Sequence, residues 1–176
     1  MQDTREFERA LLKLGLYKEF LDELVPLSCF AVLAYPEDYA VQLVLGNQPF
    51  DAVVYDSSGA VVDRVELTTP QDGRSEAADR TLVAGRGFGK CVVGTPGDDL
   101  LALFPHVLET CEAKALKDYR GCSLVIAIEP LSPFEGFESN FDDQVDQLTA
   151  KVRAINFQAD RVYLLLMPGH LITVHG

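Results

Sequence analysis

Two carboxylates stand inside apolar runs of this chain: Asp51 in Pro49-Phe50-Asp51-Ala52-Val53-Val54-Tyr55, and Glu66 in Val61-Val62-Asp63-Arg64-Val65-Glu66-Leu67-Thr68. The runs flank Asp56-Ser57-Ser58-Gly59, a turn-forming tetrad between strand-forming residues, and together predict a β-hairpin over Gln48 to Thr68. On paired strands, alternation puts Asp51 on one face with Val53 and Tyr55, and puts Val62, Arg64, Glu66 and Thr68 on one face of the second strand. Because the chain reverses, the start of the first strand meets the end of the second, and acids fifteen positions apart become neighbours. Two close carboxylates repel each other. A cation between them relieves the repulsion, and hard divalent ions prefer carboxylate oxygen. The plainer alternative is that both acids solvate the open face of an edge hairpin.

The elements that must position these acids follow from periodicity. Residues 3 to 24 place Phe7, Ala10, Leu11, Leu14, Tyr17, Leu21 and Leu24 at helical spacing, and Pro26 is expected to stop that helix. Leu27 to Leu33 is apolar, and Val41 to Leu45 reads as a first strand before the turn pair Gly46-Asn47. Thr69 to Asp99 is polar and Gly-rich, with a short helix expected at Glu76 to Ala84 and a short strand at Lys90 to Val93. A second long helix is expected over Leu100 to Arg120, with Pro105 in its first turn and Gly121 ending it. Ser123 to Ile128 reads as a strand covered on both faces, and Phe141 to Ile155 as a helix after Asn140, with Asp142 and Asp143 suiting its dipole. Arg161 to Met167 reads as a further buried strand, and Leu171 to Val174 as a short closing one. The order αβββαβαβ, with this optional last strand, is that of an α/β (α+β) domain whose mixed sheet is sandwiched by helices.

With 176 residues, 48% of them hydrophobic, the chain is expected to fill one domain over residues 1–176. A formal charge of -12 and a pI near 4.5 argue against indiscriminate attachment to nucleic acid or anionic membrane. Against that background Arg74 to Lys90 is locally basic, with Arg74, Arg80, Arg86 and Lys90 against only Glu76 and Asp79, which marks either a candidate contact for nucleic acid or an ordinary solvated loop. Cys29, Cys91, Cys111 and Cys122 show no CxxC spacing, and three of them lie in apolar runs, as expected of a reduced intracellular protein. Met1 to Glu8 is charged with no apolar core behind it, and no apolar run nears the roughly 18 residues that cross a bilayer. A cytoplasmic protein without a membrane segment is expected.

Other chemistries lack their residues. Gly85-Arg86-Gly87-Phe88-Gly89-Lys90 fails as a phosphate loop, because Ala84 stands where Gly is needed and Cys91 where Ser or Thr is needed. His170 and His175 lie five apart on a predicted strand and face opposite ways, so they make no zinc site. No Gly-x-Ser-x-Gly elbow is present.

Pro49-Phe50-Asp51, a hairpin, and then Glu66-Leu67-Thr68, set between helices and strands in this order, resemble the PD-(D/E)xK nuclease superfamily with its restriction-endonuclease-like fold. Phe50 is an inserted residue in the Pro-Asp motif, and Thr68 replaces the motif lysine. The resemblance spans about residues 3 to 128. It implies a Mg²⁺ or Mn²⁺ held by Asp51 and Glu66, hydrolysis of DNA or RNA phosphodiester bonds, and a lysine that orients or activates the attacking water. Some members supply that lysine from the following helix, and Lys114 and Lys117 are available there, three apart and expected on one helix side. Lys114 is the first choice, Thr68 a hydrogen-bond donor, and Glu6 or Glu8 possible additions. The resemblance equally admits a catalytically idle nuclease-fold module, an acidic protein that binds a protein partner or a second copy of itself.

Overall fold

The computed structural model describes residues 20–44, 48–70, 81, 82, 85, 96–128, 141–167 and 169–176. A π-helical turn over Phe20–Leu24 leads into helix α1, Val25–Ala34. Pro26 therefore does not stop a helix. It lies in the first turn of one, at the junction between the π-helical turn and α1, where a residue without an N–H is tolerated. Leu27 and Phe30 share the inward stripe of α1, so the apolar stretch after Pro26 forms a packing helix rather than a connection. The expected helix of residues 3 to 24 falls mostly outside the described residues.

Strands β1 (Ala40–Leu43), β2 (Ala52–Tyr55) and β3 (Val61–Thr68) form an antiparallel meander. At the β2–β3 turn the Asp56 carboxylate accepts hydrogen bonds from the Ser58 and Ala60 amides, and Gly59 takes φ +84°. A left-handed position of this kind favours glycine. Helix α2 (Pro96–Ala115) then crosses to β4 (Asp118–Ile128), and helix α3 (Phe141–Arg153) crosses to β5 (Gln158–Leu166). Strands β3, β4 and β5 are mutually parallel, and β6 (His170–His175) returns antiparallel to β5. The result is one six-stranded mixed sheet in the order β1-β2-β3-β4-β5-β6.

Two core layers cover its two faces. Leu27 and Phe30 of α1 pack over Val54, Val65, Leu67, Val125 and Leu165. Phe104, Val107 and Cys111 of α2, with Leu148 and Val152 of α3, pack over Leu124, Ile126, Leu164 and Leu166. Every residue from Cys122 to Ile128 is buried, as a strand covered on both faces requires.

The α2–β4 boundary differs from the helical reading of Leu100 to Arg120. The helix starts earlier, so Pro105 lies inside it, and it ends at Ala115. Asp118 and Tyr119 instead pair with Gln158 and Ala159 of β5, which pulls them into the sheet although Tyr119 continues the helical spacing. Gly121 (φ +81°) does not terminate a helix. It sits at the register shift between Tyr119 and Ser123, where its amide donates to the Asp160 carboxylate at 2.9 Å. The short helix and strand expected between Thr69 and Asp99 lie almost wholly outside the described residues. Among the described residues no helix is long and apolar enough to cross a membrane.

One polar knot ties α1 to the sheet. The Asp63 carboxylate, with its side chain 9% exposed, accepts hydrogen bonds from the Tyr35 hydroxyl and the buried Ser123 hydroxyl, each at 2.7 Å, with Arg161 at 3.6 Å. Burial and the neighbouring Asp63 charge push the Tyr35 hydroxyl pKa upward. Asp63→Ala would leave two hydroxyls without an acceptor and is expected to cost about 2–4 kcal/mol by urea unfolding. Tyr35→Phe, which removes one bond only, is expected to cost about 1 kcal/mol.

Candidate functional site

Asp51 sits immediately before β2 and is clamped by backbone on both sides. Its carbonyl accepts from the Val44 amide at 2.8 Å, and its own amide donates to the Val65 carbonyl at 2.8 Å. The carboxylate Oδ2 accepts a third bond, from the Leu67 amide at 2.8 Å. Phe50, partly buried against the α2/α3 core layer, lies under the Arg64 guanidinium at 5.7 Å and anchors the approach to Asp51.

The pairing of Ala52 with Val65 carries Asp51 to the position opposite Glu66. Val65 and Leu67 are buried toward α1, so alternation turns Glu66 and Thr68 to the α2/α3 face. There Lys114, on the last turn of α2, places Nζ 2.7 Å from Glu66 Oε1, with the two side chains 16% and 14% exposed. The Tyr119 hydroxyl lies 3.4 Å from the same oxygen, and Lys114 Nζ stands 5.6 Å from the centre of the Tyr119 ring. The hairpin and the crossover helix thus bring Asp51, Glu66 and Lys114 together, with Thr68 two residues along on the same face of β3.

Lys117 is placed differently from its expected position. The helix ends before it, its amide donates to the Lys114 carbonyl at 3.0 Å, and its side chain is exposed. It does not share a helix side with Lys114. Both nevertheless border an open hollow of about 320 Å³ along α2, with His106 and Thr110. Arg74, Arg80, Arg86, Lys90, Glu6 and Glu8 lie outside the described residues. Tyr119 was absent from the sequence-derived set because it fits the helical apolar spacing of Cys111 and Ala115. No local signal separates that reading from a strand start.

The electrostatics are those of a crowded, half-buried pair of acids. Burial raises the Asp51 pKa and the Glu66 charge raises it further, against the Leu67 amide and the Lys114 charge, which lower it. For Lys114, burial works to lower the pKa, but the bond to Glu66 and its charge outweigh that and raise it overall. The donor set of Asp51 and Glu66 is carboxylate oxygen only, which fits a hard ion and not a thiolate- or imidazole-seeking one. Among the described residues no three His, Cys, Asp or Glu side chains form a metal-holding group. Two carboxylates suffice for Mg²⁺ when water and substrate phosphate supply the remaining oxygens.

Two stability measurements follow. The folded Asp51 carboxyl has a raised pKa, so its charge opposes folding at neutral pH, and that cost vanishes as pH falls through the folded pKa toward the usual value near 3.8. In metal-free buffer at pH 7, Asp51→Asn should therefore raise the thermal midpoint, with the gain shrinking toward acid. Lys114→Met strips Glu66 of its cation in a poorly solvated place and should lower stability by about 1–3 kcal/mol in urea.

Comparison of the chain with protein-family models, with curated proteins and with solved structures finds no match.

Proposed function

We propose that this protein is a Mg²⁺-dependent (or Mn²⁺-dependent) nuclease of the PD-(D/E)xK type that hydrolyses phosphodiester bonds of DNA or RNA. The observation that carries this reading is the approach of Lys114 Nζ to Glu66 Oε1 at 2.7 Å, in a site where Asp51 lies across the strand pair from Glu66. The lysine comes from the helix that follows β3, and so answers the substitution of Thr68 at the motif position. The order of helix, three-strand meander, helix, strand, helix and strand further supports a restriction-endonuclease-like arrangement.

In this reading Asp51 and Glu66 hold the metal ion through their carboxylate oxygens. An ion held there would supply Lewis-acid stabilisation of charge on the phosphoryl oxygens and would make water at the site more acidic. Lys114 keeps a positive group within reach of Glu66, where it orients the attacking water and meets charge developing on the phosphate. The backbone clamp on Asp51 holds its carboxylate in place without reorganisation. Thr68 offers a hydroxyl on the same face, and Lys117 offers an exposed cation at the rim that attracts the substrate backbone.

The test is cleavage of labelled single- and double-stranded DNA and RNA in Mg²⁺ or Mn²⁺. Asp51→Ala, Glu66→Ala and Lys114→Ala are each expected to lower the rate by about 100-fold or more, and chelation to abolish it. Equal activity in the wild type and Asp51→Ala would assign the cleavage to a contaminant and end the proposal. A catalytically idle, protein-binding module is the second reading, favoured by Thr68 in the lysine's place and by the net charge of -12. Calorimetry separates the two, since an idle module would take up neither Mg²⁺ nor Mn²⁺.

A further inference from the structure

We infer that Tyr119 is a positioning residue of this site: its ring face, presented to Lys114, holds the lysine ammonium on Glu66 Oε1. Three observations support this assignment. Tyr119 is buried, 6% exposed, in the core layer formed by α2 and α3, so its orientation is set by packing. Lys114 Nζ stands 5.6 Å from the ring centre, within the distance at which an aromatic face attracts a cation. The chain path fixes the two relative to each other. Only two residues, Leu116 and Lys117, separate the end of α2 from the start of β4, and the bond from the Lys117 amide to the Lys114 carbonyl closes the turn between them.

The strand alternation then separates inward from outward groups. Asp118 and Arg120 pair with each other on the exposed side, while Tyr119 between them turns inward beneath the amine. The Tyr119 hydroxyl also reaches Glu66 Oε1, but at 3.4 Å this contact is at the long limit of a hydrogen bond. The hydroxyl also stands near the Lys114 ammonium, and the ring supplies the rigid surface beside which the ammonium is held. A lysine on the final turn of a helix has a long, flexible stem, and Glu66 alone fixes only one end of the ion pair. The aromatic face restricts the directions from which Nζ can approach.

The catalytic consequence of this inference rests on the nuclease reading, but the placement of the ammonium does not. It is tested first without turnover, by NMR of the full chain labelled with ¹⁵N-lysine. Glu66→Gln identifies the Lys114 ammonium signal by abolishing its protection from exchange. The expected result is a protected signal shifted by the ring current in the wild type, retained in Tyr119→Phe, and lost in Tyr119→Leu and in Tyr119→Met, which fills the space without a ring. Thermal unfolding confirms that each variant is folded. A Lys114 signal equally protected in a folded Tyr119→Leu or Tyr119→Met protein overturns the assignment, as does loss of the signal in Tyr119→Phe. In cleavage assays Tyr119→Phe should stay within about threefold of wild type, while the ringless variants should lose about 10- to 100-fold in kcat with little change in KM. Protected wild-type lysine in a protein that cleaves nothing would sink the nuclease reading and leave the positioning role standing.

Discussion

Strand β3 carries the constraint on which the rest of the molecule depends, because it is paired antiparallel on one side and parallel on the other. The antiparallel side needs only a tight turn, and it returns the chain so that Asp51 comes opposite Glu66. The parallel side cannot be closed by a turn and demands a crossover, which is α2. A crossover helix must end where the next parallel strand begins. Its last turn, with Lys114, comes to lie over the sheet face from which Glu66 projects. One strand thus gathers an acid from before it and a lysine ammonium from after it, and each connection is forced by the hydrogen-bonding geometry of its own edge.

The same strand sends its two acids to opposite faces of the sheet by its period of two. Asp63 and Glu66 are three residues apart and so point to opposite faces. Asp63 turns toward α1, where the Tyr35 and Ser123 hydroxyls and Arg161 satisfy it, as a nearly buried carboxylate requires. Glu66 turns toward α2 and meets a single ammonium, beside Asp51, whose own charge is disfavoured where it stands. The first acid is held by several donors from three elements. The second belongs to a pair of like charges kept close, an arrangement that costs stability and gains nothing for packing. Perturbed, half-buried ionisable groups of this sort gather at functional sites.

Local order determined much of this protein from sequence alone. The hairpin over Gln48 to Thr68 followed from two β-forming runs around Asp56-Ser57-Ser58-Gly59, and the burial of Ser123 to Ile128 on both faces followed from its unbroken apolar character. The faces of Asp51 and Glu66 were legible because alternation in a strand is strict. The mixed α/β class followed from the order of these periodic segments.

Tertiary structure decided the rest. The Lys114–Glu66 contact joins residues 48 positions apart, and no local pattern encodes how far a crossover helix runs before its strand begins. For the same reason Asp118, Tyr119 and Arg120 read as helix yet lie in β4: their spacing suits either element, and pairing with β5 chose between them. Pro26 shows the converse, since a proline punctuates a helix at either end, and here it stands at the junction of the π-helical turn and α1, whose Leu27 and Phe30 pack on the sheet. Periodicity is written in neighbouring residues, whereas the meeting of an acid, a lysine and a tyrosine on one sheet face depends on register and crossover length, which only the folded chain sets.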